Sequence, residues 1–194
     1  MIGGSATRRS EWDTGGGLSA RPQKKGGKMI GKNMEKALNE QIREELGSAY
    51  LYLAMAAYFH EEKLPGMARW MEVQVQEELE HAMKIYRHVV ERGGRVKLEA
   101  LPEPKFAWAS PLEAWRAAYE HERYISDRIH KLVELAREER DYPAEVMLQW
   151  FVSEQVEEED QTRRVVEMLE RIGESGRGLL WVDRELGKRG KEEE

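Results

Sequence analysis

From residue 33 onward apolar side chains recur every three or four positions, and the pattern is interrupted only where prolines and glycines gather. That spacing predicts one helix after another, because a period near 3.6 lines one face of an α-helix whereas a strand alternates every second residue. The first helix is expected from about Met34 to Glu62, capped by Asn33, with an apolar stripe of Leu38, Ile42, Leu46, Ala49, Leu53 and Ala56. Leu64-Pro65-Gly66 ends it. A second helix opens at Pro65, where a missing N–H costs nothing, and closes on Gly93-Gly94, which tolerate the left-handed backbone found just past a helix end. Residues 95–110, with Pro102 and Pro104, read as an extended crossover. Ser110-Pro111-Leu112-Glu113 has capping-box spacing and starts a third helix, which runs to about Glu139. Asp141-Tyr142-Pro143 starts a fourth that continues through Arg171 to Gly173, and a short fifth covers roughly 177–188.

Each of the four main helices is near 28 residues, or about 42 Å at the α-helical rise. Matched lengths imply side-by-side packing. Two short connections make antiparallel hairpins, and the single long one lets the second hairpin re-enter from the opposite end. The expected fold is all-α: a four-helix bundle with one long crossover and a short fifth C-terminal helix.

Composition narrows the chemistry. The 194 residues are 40% hydrophobic, enough for a sizeable core, and contain no cysteine, which excludes disulfide scaffolds, Cys-ligated zinc, iron–sulfur clusters and cysteine nucleophiles. A cysteine-free chain fits a reducing compartment, and the expected location is cytoplasmic. The longest run free of charges and helix breakers, Ala49 to Phe59, is far short of the roughly 20 residues that cross a bilayer, so no membrane span is expected. The formal net charge of −6 divides unevenly. Residues 1–28 carry six cations against Glu11 and Asp13, with three glycine clusters, while the body carries the acids. The expectation is a disordered, basic, Gly-rich tail over 1–28, with Met29 as the natural start and the tail a non-native extension. A domain over 29–190 and an acidic tail over 191–194 would follow.

Some of these acids fall on faces that should be apolar. Glu45 and Tyr52 are seven apart, within about 20° of two full turns, and so share a face beside Leu46, Ala49 and Leu53. Glu78 and His81 form Glu-x-x-His on the second helix with Glu77 adjacent, and Glu122 lies three residues before Ile125 on the third. The fourth helix carries Glu154-Gln155-Val156-Glu157-Glu158. A run such as Glu157-Glu158-Glu159-Asp160 is usually a solvated face, and a lone Glu-x-x-His is weak evidence. The coincidence of one acid per helix, at compatible heights, changes the balance. Unpaired carboxylates buried in a bundle cost several kcal/mol each, so something positive is expected between them. Four glutamates and one histidine form an oxygen-rich site suited to iron or manganese rather than zinc, and two metals sharing glutamates fit the count. His60, His88, His121 and His130 read as surface or packing residues. Met55, Met67, Met71, Met83, Met147 and Met168 read as core gap-fillers.

At these residues the chain resembles the non-haem bacterial and archaeal ferritins, over about residues 33–187. The similarity rests on Leu38-Asn39-Glu40-Gln41, Glu45, Tyr50-Leu51-Tyr52, the stretch Gln76 to Met83, Glu91-Arg92-Gly93-Gly94, His121-Glu122 and the stretch Leu148 to Glu159. The resemblance implies the ferritin-like bundle and a ferroxidase: Fe(II) is oxidised by O2 or peroxide at an intra-subunit di-iron centre, and ferric oxide mineral is deposited in a cage. It implies that Glu45, Glu78 and His81 hold the first iron and Glu122 with Glu158 the second, with Glu78 bridging and Gln155 near bound oxygen. Glu77, Glu154, Glu157 and Glu158 would form a third iron site, and Tyr52 and Trp150 would be nearby electron donors. It further implies self-assembly, with 24 subunits and the fifth helix at the pores.

Departures from related families sharpen the expectation. Gln155-x-x-Glu158 replaces the second Glu-x-x-His of bacterioferritin, so an asymmetric centre without haem is expected. The lack of cysteine argues against rubrerythrin-type peroxidases. Two alternatives stay open: a metal-sequestering shell that does not catalyse oxidation, and a DNA-associated protector acting through the basic tail. Six cations over 28 positions would support only weak, salt-sensitive phosphate binding.

Overall fold

The stereochemistry of a few terminal residues sets the helix boundaries. The computed structural model describes residues 29–190, and the two predicted tails lie outside the described residues. Helix α1 spans Lys32–Glu61, α2 Pro65–Glu91, α3 Pro111–Glu138, α4 Tyr142–Ile172 and α5 Gly176–Leu186, with no strand among the described residues. Ser110 accepts a hydrogen bond from the Glu113 N–H (3.2 Å) while Glu113 accepts from the Ala109 N–H (2.7 Å), a reciprocal start for α3. Asp141 caps α4 through the Ala144 N–H (3.2 Å), and its carboxylate also takes both arms of Arg92 (2.7 and 3.2 Å), tying the end of α2 to the α3–α4 turn. Lys63 and Arg140 adopt φ of 61° and 53° in the two tight turns, the left-handed step that reverses each hairpin.

Two expectations for α1 are corrected. The N-cap is Gly31, without a side-chain bond, and Asn33 lies inside the first turn, where its amide donates to Glu139 (2.8 Å). Leu53 is 52% exposed, because the buried face runs instead through Gln41, Glu45, Ser48 and Tyr52. Polar residues share the inward face with Leu38, Ile42, Ala49 and Ala56, leaving Leu46 half-buried and Leu53 outside. Met83, also expected inside, is exposed.

The α1–α2 and α3–α4 hairpins are the closely packed pairs; they meet through α1 and α3, and α5 lies against α2 and α4. The crossover is pinned to α1 by Asn39, which bonds the Arg95 carbonyl (3.0 Å) and the Lys97 N–H (2.6 Å), and Trp108 packs edge-on against Tyr58 (5.2 Å). Two separate apolar cores result. One gathers Met55, Phe59, Met67, Met71, Trp115 and Leu169; the other gathers Met34, Leu38, Ile85, Ile129, Leu148 and Phe151. Between them in every long helix lies a buried polar layer that includes Gln41, Glu45, Gln74, Glu78, His81, Glu122, Gln155 and Glu158. No helix among the described residues is long and apolar enough to cross a membrane.

Candidate metal centre

Each long helix sends at least one carboxylate into this polar layer: Glu45 from α1, Glu78 from α2, Glu122 from α3 and Glu158 from α4, all at most 2% exposed. The side chains of Glu45, Glu78 and His81 each bring a ligand atom within 4.8 Å of the other two, and His81, Glu154 and Glu158 do the same. His81 thus stands between two acidic groups. Its ring is held edge-on by Trp150 (5.4 Å) and Phe151 (5.8 Å), which fixes its orientation without consuming a ring nitrogen. Nδ1 lies 3.5 Å from Glu78 Oε2.

The acids are supported by neutral amides. Gln41 Nε2 donates to Glu45 Oε1 (2.9 Å), and Gln74 Nε2 donates to both Glu78 Oε1 and Glu158 Oε2 (each 2.9 Å). Gln155 Nε2 donates to Glu122 Oε2 (3.1 Å), and the Tyr52 hydroxyl donates to Glu122 Oε1. Two arginines hold the far ends of these amides, Arg128 on Gln41 and Arg189 on Gln74 (2.9 Å each). Sequence reading missed the two glutamines. The spacing Gln-x-x-x-Glu, repeated at 41–45 and 74–78, is the signal that could have found them, since i and i+4 share a helix face.

Burial dominates the electrostatics. Loss of solvation, reinforced by the neighbouring Glu78 charge, pushes the Glu45 carboxyl up to about 8, and burial likewise pushes Glu78 to about 8. Glu122 and Glu158 rise together for the same reason, each also opposed by a neighbouring carboxylate. The Tyr52 hydroxyl is held well above its usual range by burial and by Glu122, so it remains a donor. Among the described residues, no hydrogen-bond donor reaches the buried Glu45 Oε2. With the Glu78 carboxyl beside it, that oxygen is reconciled only by a shared proton or by a cation.

The remaining predicted residues are arranged less tightly. Glu154 is partly buried and its carboxyl is raised, mainly by lost solvation and then by Glu157 and Glu77 against the favourable pull of His81. Glu157 is exposed, and the Glu77 carboxylate is bonded to Arg189 rather than gathered with the others. Trp150 meets His81 edge-on and carries Lys84 over its ring (3.8 Å to the centroid). His121 is a packing residue: Nε2 meets Ser48 Oγ (2.8 Å), and burial lowers its pKa to about 4.

Four long helices around a buried, oxygen-rich set of carboxylates with one histidine define a bundle protein whose candidate metal centre lies within a single chain. The Ferritin-like domain family profile matches residues 35–172. Bacterial non-heme ferritin of Bacteroides fragilis (strain 638R) is 38% identical over 161 residues, covering 83% of this chain and 100% of that protein. The corresponding protein of Staphylococcus aureus (strain USA300) is 37% identical over 166 residues, 86% of this chain and 100% of its own. Among solved structures, a novel open pore ferritin from the hyperthermophilic archaeon Archaeoglobus fulgidus matches with a TM-score of 0.82 and 53% identity, covering 82% of this chain and 99% of that one. The chain belongs to the ferritin family of iron-storage proteins.

Proposed function

We propose that this chain is a ferroxidase that binds two Fe(II) ions per subunit, passes their electrons to O2 or peroxide, and stores the Fe(III) product as hydrated oxide inside a homo-oligomeric cage. The observation that carries this reading is the burial of Glu45, Glu78, His81, Glu122 and Glu158 in one polar layer, where Glu45, Glu78 and His81 each bring a ligand atom within 4.8 Å of the other two. Glu45 and His81 serve the first ion, Glu122 and Glu158 the second, and Glu78 bridges.

Metal binding replaces the protons on these carboxyls, so uptake of Fe(II) releases acid. Hard carboxylate oxygens bind Fe(III) more strongly than Fe(II), which lowers the potential and favours oxidation. Two Fe(II) supply two electrons, enough with two protons to reduce O2 to hydrogen peroxide. Gln155 would present its amide to an oxygen species beside Glu122, and Tyr52, hydrogen-bonded to Glu122, is the nearby electron donor. Glu77, Glu154, Glu157 and Glu158 form a third, outer iron position. A bundle about 45 Å long encloses no mineral space by itself, which supports assembly into a shell, for which we assign 24 subunits with α5 at the pores and a cytoplasmic setting.

The test is rapid-mixing oxidation of Fe(II) by assembled particles. Parent protein is expected to oxidise iron faster than buffer, with Glu78→Ala and His81→Ala losing the fast phase. Equal rates in parent and variants would overturn the assignment.

A further inference from the structure

We propose that Arg189 is a built-in cation which holds Glu77 until a metal ion displaces it, and so sets how firmly the outer iron position binds. The inference rests on the outer position assigned above and concerns a residue outside its ligand set.

After α5 the chain folds back along α2. Gly187 packs directly on Gly66, where an added Cβ would lie 3.1 Å from the Gly66 Cα, and Gly190 turns with φ of 74° beside Val73 and Arg69. This places Arg189 over α2 at the level of the polar layer. Its side chain is only 17% exposed, and three groups clamp it. Nη1 donates to Gln74 Oε1 (2.9 Å), Nη2 donates to Glu77 Oε2, and the guanidinium lies 4.0 Å from the centroid of Trp70. Stacking on an indole and a forked donor set suit arginine specifically.

Two consequences follow for the acids. Arg189 fixes the Gln74 oxygen outward, which turns the amide NH2 inward to serve Glu78 and Glu158 together. It also withholds Glu77: Glu154 and Glu158 gather with His81 within 4.8 Å, but Glu77 is not among them. A metal recruiting all the outer acids must therefore take Glu77 from Arg189. The guanidinium does not deprotonate, so this exchange is a displacement of one cation by another. Arg189 already acts on the same field, since its charge partly offsets the burial of Glu158. An outer ion held against this competitor stays loosely bound and readily handed on.

The experiment uses metal-free particles of the full chain titrated calorimetrically with Co(II), a probe that air does not readily oxidise, comparing parent, Arg189→Gln and Arg189→Lys. Parent is expected to bind two ions tightly and a third weakly. Arg189→Gln should tighten the third by about tenfold or more, the direction set by removing a unit charge within a few ångströms, and leave the stoichiometry at three. Arg189→Lys, which keeps the charge, should stay near parent. Anomalous scattering from Co(II)-soaked crystals should show Glu77 turned to the outer ion in Arg189→Gln. A third site unchanged or weakened in Arg189→Gln, with the tight pair intact, would overturn the role of Arg189. Absence of the tight pair from the parent would instead overturn the di-metal assignment on which it rests.

Discussion

Glu78→Gln should make the metal-free protein more stable while abolishing its use. The Glu78 carboxyl titrates near 4.5 in an unfolded chain and near 8 in the fold. Between those values the folded state carries a proton that the unfolded chain has lost, so the stability of the metal-free fold falls as pH rises from about 4.5 to about 8. By pH 7 the loss for one such carboxyl is about 3 kcal/mol. A glutamine of the same shape has no proton to lose, keeps an oxygen for Gln74 Nε2, and can donate toward the unpartnered Glu45 Oε2. We expect Glu78→Gln to gain about 2–3 kcal/mol at pH 7, a rise of about 5 °C or more in the unfolding midpoint, shrinking to under about 1 kcal/mol at pH 5. The assay is calorimetric unfolding of chelator-treated particles from pH 5 to 8, at fixed protein concentration, with and without added Co(II). Parent should be strongly stabilised by the ion and the variant much less. A metal-free parent whose midpoint stays level or rises across that range, with Glu78→Gln no more stable, would refute the reasoning.

Gln74→Leu keeps every proposed ligand but removes the donor shared by Glu78 and Glu158, and should weaken Co(II) affinity about tenfold or more by titration calorimetry. Asp141→Ala loses a helix cap and a two-armed ion pair to Arg92, and should cost about 2–3 kcal/mol in denaturant unfolding. Because those contacts hold the Asp141 carboxyl below its usual range, its contribution is present above about pH 4 and is lost as pH falls below that value, so the Asp141→Ala penalty should shrink in acid. Gly66→Ala would put a Cβ 1.8 Å from the Asp183 carbonyl oxygen and should lift α5 from the start of α2, read as faster proteolysis over residues 176–190.

The helix ends were legible where a residue type has a mechanism. Pro65, Gly93, Ser110, Pro111 and Asp141 all act as their stereochemistry dictates. The start of α1 was not, because Asn33 suits a cap as well as it suits the first turn, and its bond to Glu139 depends on a residue 106 positions away. The apolar stripe of α1 holds at Leu38, Ile42, Ala49 and Ala56 and fails at Leu53, because Gln41, Glu45, Ser48 and Tyr52 take the inward positions beside it. The buried acids stood out in the sequence through that same conflict between residue type and position. Gln41 and Gln74 did not, since a neutral amide violates no pattern, and Arg189 could not, since it reaches Glu77 only after α5 has folded back across 112 positions.

The claim that four helices build one di-iron centre is tested most directly by anomalous scattering at the iron edge from assembled particles loaded with Fe(II). The account predicts two adjacent iron peaks in the polar layer, one among Glu45, Glu78 and His81 and one between Glu122 and Glu158, with Glu78 touching both. Iron found only outside that layer, with the five residues still in the hydrogen bonds of the metal-free fold, would contradict it.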